Sequence, residues 1–278
     1  MDPVVLQFLA APFAASLILT GIHAYLGIHV VERGVIFVDL SLAQIAAFGA
    51  SVAVLLPFSG GDPHHPGVYW VSLGFTFIGA GLFAMLQSQR ARVPQEALIG
   101  ICYAVASAAA ILAMSRSSSQ AEHLQHMLVG NILAVSWTEV LGTGALYGVV
   151  GLFHYAFRRR FLLISIDPDR ARAEGVPIRL WDFLFYASFG IVVTSSVSIA
   201  GVLLVFCYLI VPSVAAMLFA KHIGPRLAIA WSMGTGVSGL GIWLSLLWDL
   251  PTGATIVVTF GAVLTILAGV RALTAARQ

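Results

Sequence analysis

Charge is scarce in this chain. Only 9% of its 278 residues are Asp, Glu, Lys or Arg, against roughly a quarter in a soluble domain, and that deficit excludes a water-soluble globular fold. Lysine is nearly missing: Lys221 stands alone among 14 basic residues. With a net charge of only +2, no basic face is large enough for nucleic acid. The two cysteines, Cys102 and Cys207, each sit in an apolar stretch, at a spacing that suits neither a disulfide framework nor a zinc site. No G-x-x-x-x-G-K-[ST] phosphate loop is present, and Lys221 follows Ala220, so any ATP is hydrolysed by another chain. H-E-x-x-H, G-x-S-x-G and paired aspartates at an intramembrane-protease spacing are also missing, which disfavours a membrane enzyme.

What remains is apolar. Hydrophobic residues make up 59% of the chain, and stretches of about 18 or more mark spans able to cross roughly 30 Å of hydrocarbon. Nine such stretches are read: 4–28, 35–57, 68–86, 96–114, 137–157, 181–199, 201–220, 226–248 and 252–270. Met1-Asp2-Pro3 lacks the basic head of a secretory signal, so the first run is expected to be a retained span. Arg33, Arg90, Arg92, Arg158, Arg159, Arg160, Arg170, Arg172, Arg179, Lys221, Arg226, Arg271 and Arg277 all fall on one side of the alternation, and Arg116 alone on the other. Basic residues collect in cytoplasmic loops, so the N-terminus is expected outside and the C-terminus in the cytoplasm of a cell membrane. The expected fold is all-α: a polytopic helical membrane protein with eight or nine transmembrane helices.

Two places leave the count open. Ile199-Ala200-Gly201 is the only connection between two spans, so a hairpin dipping partway into the bilayer is an alternative to a full crossing. Residues 115–136 carry Leu124, Met127, Leu128, Val129, Ile132 and Leu133, which makes them too apolar for a plain outer loop and suggests a short helix in or re-entering the membrane. No linker, repeat or charge block divides the chain, so 1–278 reads as a single domain. Glycines cluster at Gly144 and Gly148, and from Gly234 to Gly241, where they would let helix backbones approach closely.

Residues that could carry chemistry fall into three groups. In the large inner loop, Asp167 can cap a helix, Pro168 suits its first position, Asp169 favours the N-terminal dipole and Gly175 stops it. The helix, about two turns ending at Glu174 and including Ala171, is either a plain membrane-surface helix or a docking site for a cytoplasmic motor. Span two holds Asp39, Ser41 and Gln44, and polar groups in apolar spans carry a functional expectation. Ser41 and Gln44 share a helical face, whereas Asp39 and Gln44 lie about 140° apart, which fits a water-lined path better than a closed metal site. Outside, Glu122, His123 and His126 fall within one turn, and Asp62, His64 and His65 crowd another loop. Imidazole and carboxylate suit divalent transition metals, though solvated polar loops look similar. His23, His29 and His154 read as packing or interface residues, and His222 as solvated.

Several segments together resemble the permease subunit of the ABC importers for zinc, manganese and iron. They are Arg33 followed by Asp39 and Leu42-Ala43-Gln44 through Gly49; Leu128 to Ser136; Ile166-Asp167-Pro168-Asp169 with Ala171 and Gly175; Gly201 to Val205 continuing through Leu209-Ile210-Val211-Pro212-Ser213 to Ala216; and Asp249-Leu250-Pro251-Thr252-Gly253 to Val257. The resemblance implies a homodimeric permease in membrane lipid that docks a cytoplasmic ABC ATPase. It also implies that a divalent metal ion arrives from an extracytoplasmic solute-binding protein, with no permanently bound cofactor. A siderophore or cobalamin permease, or a secondary carrier, is the alternative. The Asp-Pro segment matches the family's ATPase-coupling site, and Pro212 and the Asp249 turn match framework elements. The chain departs from the family in span two. Members there carry an aspartate and, four residues later, a histidine; here Gln44 takes the histidine position, and four residues before it stands Leu40, with Asp39 one residue off.

Overall fold

The computed structural model describes residues 3–62, 65–86, 94–115 and 132–275. Among them lie ten α-helices: α1 (Pro3–Arg33), α2 (Val38–Leu55), α3 (Pro66–Leu86), α4 (Gln95–Met114), α5 (Trp137–Ala156), α6 (Arg158–Ile166), α7 (Pro168–Ala173), α8 (Ile178–Phe219), α9 (Ile223–Trp248) and α10 (Thr252–Ala275). Short 3-10 turns at Pro57–Ser59 and Ile132–Ala134 complete the described elements. Helix is the expected outcome, since a lone segment in hydrocarbon must satisfy its own backbone groups. Side chains such as Trp70, Ile78, Met85, Leu112, Val258 and Ile266 stay exposed, as suits surfaces that meet lipid.

Against eight or nine expected spans, seven described helices are long and apolar enough to cross a membrane, and an eighth follows if α5 and α6, bent by 74°, count as one span. The difference lies in α8, which runs through both expected spans 181–199 and 201–220. Its 42 residues would extend about 63 Å if straight, twice the hydrocarbon thickness, and they contain a break at Gly201, with φ 74° and ψ 161°. That region of backbone space is open essentially to glycine alone. Ser196 bonds His23 and Ser213 bonds the carbonyl of Ala24, adjacent residues of α1, although 17 residues of straight helix would hold the two serines about 26 Å apart. The chain therefore bends sharply at Gly201. Of the apolar segment 115–136, residues 116–131 lie outside the described residues; the 3-10 turn at Ile132–Ala134 follows, with Ile132 buried.

By contact the chain divides into two compact units, Met1–Val31 with His126–Gly151 and Ser196–Gln278, and Glu32–Gln125 with Leu152–Ser195. In the first, α1 meets the second arm of α8 at Gly27, where any Cβ would collide with the carbonyl of Leu209. Close approach of this kind is how helices associate where lipid supplies no hydrophobic drive. Gly241 of α9 meets Ile256 of α10 in the same way, and Tyr208 bonds Ser238 at 3.0 Å. The glycine clusters read from the sequence contribute through Gly144, Gly234 and Gly241, whereas Gly148 and Gly236 face open space. In the second unit, α2 packs on α3 and α4, with Gly49 against Phe75 and Gly79 against Ile45, and Ser72 donating to the carbonyl of Ala46 at 2.7 Å.

Candidate functional site

Helix α2 carries the path candidates, two of them, Asp39 and Ser41, in its first turn. Phe37 caps the helix, and its N–H donates to the Glu96 carboxylate of α4 at 2.9 Å, which places a negative group where the orphan amides and the helix dipole favour one. Asp39 follows in the same turn, 1% exposed. Neither of its carboxylate oxygens has a hydrogen-bond partner among the described residues, and the hydroxyl of Ser41, also fully buried, has none. A buried carboxylate without partners is costly, which makes Asp39 a candidate functional residue. Gln44 is half-buried, and the helix is regular from Val38 to Leu55, so the angular gap between Asp39 and Gln44 stands.

Helix α7 forms as its caps dictate. The side chain of Asp167 accepts from the N–H of Arg170 at 3.0 Å, and Pro168 occupies the first turn. At the other end Gly175 takes φ 72°, while its own N–H donates to the carbonyl of Arg172 and that of Val176 to the carbonyl of Ala171, both at 3.0 Å. This is the left-handed stop that glycine supplies. The helix ends at Ala173, with Glu174 as C-cap. Ala171 is fully buried and anchors α7, whereas Asp169, Arg170, Arg172 and Glu174 point outward. Arg170 pairs with Glu174 at 2.8 Å and Arg172 with Asp169. Exposed pairs of this kind contribute little to stability, which leaves a charged face on a helix held by one small residue. A cavity of about 490 Å³ lies between α7 and the start of α8, lined by Pro168, Arg172, Ile178, Arg179 and Asp182 among others.

Glu122, His123, His126 and His64 lie outside the described residues. His65 accepts from the N–H of Gly67 at 3.0 Å and leans on Phe58. No group of three or more His, Cys, Asp or Glu side chains able to hold a metal occurs among the described residues. The three histidines read as packing residues do pack. His23 donates through Nδ1 to the carbonyl of Leu19 and meets Ser196 through Nε2; His29 sits edge-on to Tyr25; His154 stacks on Phe161 and pairs with Ser188 at 2.8 Å.

One cluster went unread in the sequence. Arg33 forms a buried ion pair with Asp182 at 2.7 Å, the two side chains 1% and 0% exposed. Its Nε also donates to Ser165 at 2.8 Å, and the guanidinium lies 4.0 Å over the ring of Phe185. The available signal was Asp182 itself, a lone acid inside the apolar run from Trp181 to Gly190.

Long apolar helices, a buried unpartnered carboxylate in one of them and a capped helix offered on a charged face define a polytopic membrane protein of transport type. The profile of the ABC 3 transport family matches residues 5–271, and the chain belongs to that family. It is similar to the manganese transport system membrane protein MntC of Halalkalibacterium halodurans, 26% identical over 90% of this chain and 83% of the relative. It is also similar to the manganese import system permease protein ScaB of Streptococcus gordonii, 30% identical over 66% of this chain and 68% of the relative. Among solved structures, PsaBC of Streptococcus pneumoniae in complex with Fab superposes with a TM-score of 0.77 at 21% identity, covering 94% of this chain and 91% of that one, a likeness of fold.

Proposed function

We propose that the chain is the membrane-spanning permease subunit of an ATP-driven importer of a divalent metal ion: manganese, iron or zinc. The observation that carries this reading is the family match across residues 5–271, joined by relatives named for manganese and iron transport. The translocation path runs past Asp39, Ser41 and Gln44, whose oxygens suit hard divalent cations and would hold one only loosely. Loose binding is what a path requires, since an ion must leave as readily as it enters. Glu122, His123 and His126 capture the ion on the outer side, where it is handed over by an extracytoplasmic binding protein.

ATP hydrolysis belongs to a separate cytoplasmic ATPase, which docks on Asp167, Pro168, Asp169, Ala171, Glu174 and Gly175. A six-residue helix is marginal in water by itself, and the buried Ala171 with the charged outer face gives α7 one side to hold and one side to offer. The permease works as a homodimer, with its N-terminus outside and its C-terminus in the cytoplasm. The test is a tagged pull-down from native membranes in mild detergent, with mass spectrometry of the retained proteins and elemental analysis of cells lacking the chain. An ATPase and a binding protein in the eluate, with one metal depleted in those cells, are the expected result. No ATPase, and unchanged metals, would overturn the reading in favour of a secondary carrier.

A further inference from the structure

The contacts of Arg33 join the residues flanking α7 on both sides to the end of α1, one short turn before α2. Ser165 stands two residues before the cap Asp167, and Asp182 lies in the second turn of α8, just after the Gly175 stop. Both bond the same guanidinium, Ser165 to Nε and Asp182 to Nη1, and the stacked Phe185 ring holds that group from one face. On the other side, Arg33 ends α1 and is separated from α2 only by the turn 34–37. That turn is braced by the N–H of Val38 on the carbonyl of Val35 at 3.1 Å and by the N–H of Phe37 on Glu96. Asp39 is in the first turn beyond it.

We infer that Arg33 is the transmission residue of this permease: it converts displacement of α7 and its flanks into displacement of the first turn of α2, and so of Asp39. This rests on the reading of α7 as the ATPase-coupling helix. The physical ground is the depth of the pair. A guanidinium and a carboxylate sealed from water cannot separate gradually, because each would be left as an uncompensated buried charge; when Asp182 moves, Arg33 must follow. Arginine is required, since its rigid fork serves Ser165 and Asp182 at once, whereas an ammonium offers a point charge on a flexible stem. Cation–π contact with Phe185 adds a second restraint on the plane of the fork. A pair that merely stapled the fold would stabilise the protein without linking the two activities.

The experiment uses the purified transporter, this chain with its ATPase and binding protein, in proteoliposomes with Mn²⁺ as probe, and reads ATP hydrolysed per ion taken up. Arg33→Lys and Asp182→Asn are expected to raise that ratio about fivefold or more, the lower end of typical coupling between sites. Ser165→Ala, which removes the hydrogen bond from Arg33 Nε and the one to the Phe161 carbonyl but leaves the ion pair, is expected to raise it less and to fold normally. Trp231→Phe, which deletes a hydrogen bond to Gly21, serves as control and should leave the ratio unchanged. If Asp182→Asn fails to assemble, Arg33→Lys and Ser165→Ala decide the matter. Hydrolysis and uptake falling in the same proportion in both would overturn the inference while leaving the transport reading intact. A wild-type complex without Mn²⁺-stimulated hydrolysis would overturn the transport reading, and this inference with it.

Discussion

In the unit formed by Met1–Val31, His126–Gly151 and Ser196–Gln278, α1 meets its neighbours through small residues and neutral hydrogen bonds: Gly27 on Leu209, Gly234 under Thr20, Ser213 on the carbonyl of Ala24. In the unit formed by Glu32–Gln125 and Leu152–Ser195, the buried link is Arg33 with Asp182, its guanidinium flanked by the rings of Phe185 and Tyr186. The two solutions answer the same problem. Lipid tails are as apolar as a leucine side chain, so helices need either close backbone approach or a polar link to hold together. Close approach is graded, because dispersion falls off contact by contact. A buried ion pair is all or none, because half of it is worse than nothing. The first kind of interface suits a scaffold, and the second suits a part that must move as one piece.

The largest effect is expected from breaking the pair on one side only. Asp182→Ala strands the Arg33 guanidinium and should cost about 3–5 kcal/mol, read as a lowered midpoint of thermal unfolding in detergent. Replacing both partners, Arg33→Met with Asp182→Leu, should recover most of that loss while leaving transport uncoupled. A double variant as unstable as the single one would show that something other than stranded charge is at work. Gly27→Ala comes next: its methyl group must displace the backbone carbonyl of Leu209, an overpacking cost of about 1–3 kcal/mol. Gly148→Ala, with nothing within 4 Å of the added Cβ, should be neutral by the same measurement. If Gly27→Ala equals Asp182→Ala, the contrast between graded and all-or-none interfaces is lost. The smallest and most local effect belongs to α7. Asp167→Ala removes the cap on Arg170 and should cost about 1 kcal/mol, seen as faster amide exchange at Ala171 and Glu174 with the unfolding midpoint hardly changed. Unchanged exchange there would mean that α7 is held by Ala171 alone.

The short helix α7 was legible almost to the residue because all its signals are local. A cap, a first-turn proline and a left-handed stop act within eight positions, and each leaves a residue type in the sequence. The polar residues of span two, Asp39, Ser41 and Gln44, were legible as to face but not as to company. That Asp39 would be sealed with no partner depends on how α3 and α4 close over α2, which no spacing within span two records. The histidines tell the same story in reverse. His23 and His154 looked like packing residues by type, but their partners, Ser196 and Ser188, are 173 and 34 positions away, and only the fold could name them.

By itself the sequence determined that this chain lives in a bilayer, where its apolar runs lie, and where the capped helix starts and stops. Those are properties of single segments, set by transfer free energy and by hydrogen bonding within one or two turns. Tertiary structure alone decided that the bend at Gly201 brings both arms of α8 back to α1, that Gly27 must be glycine because Leu209 lies against it, and that Arg33 meets Asp182 across 149 positions of chain. A helix sets which residues share its face; which neighbour that face receives is settled only when the segments pack together.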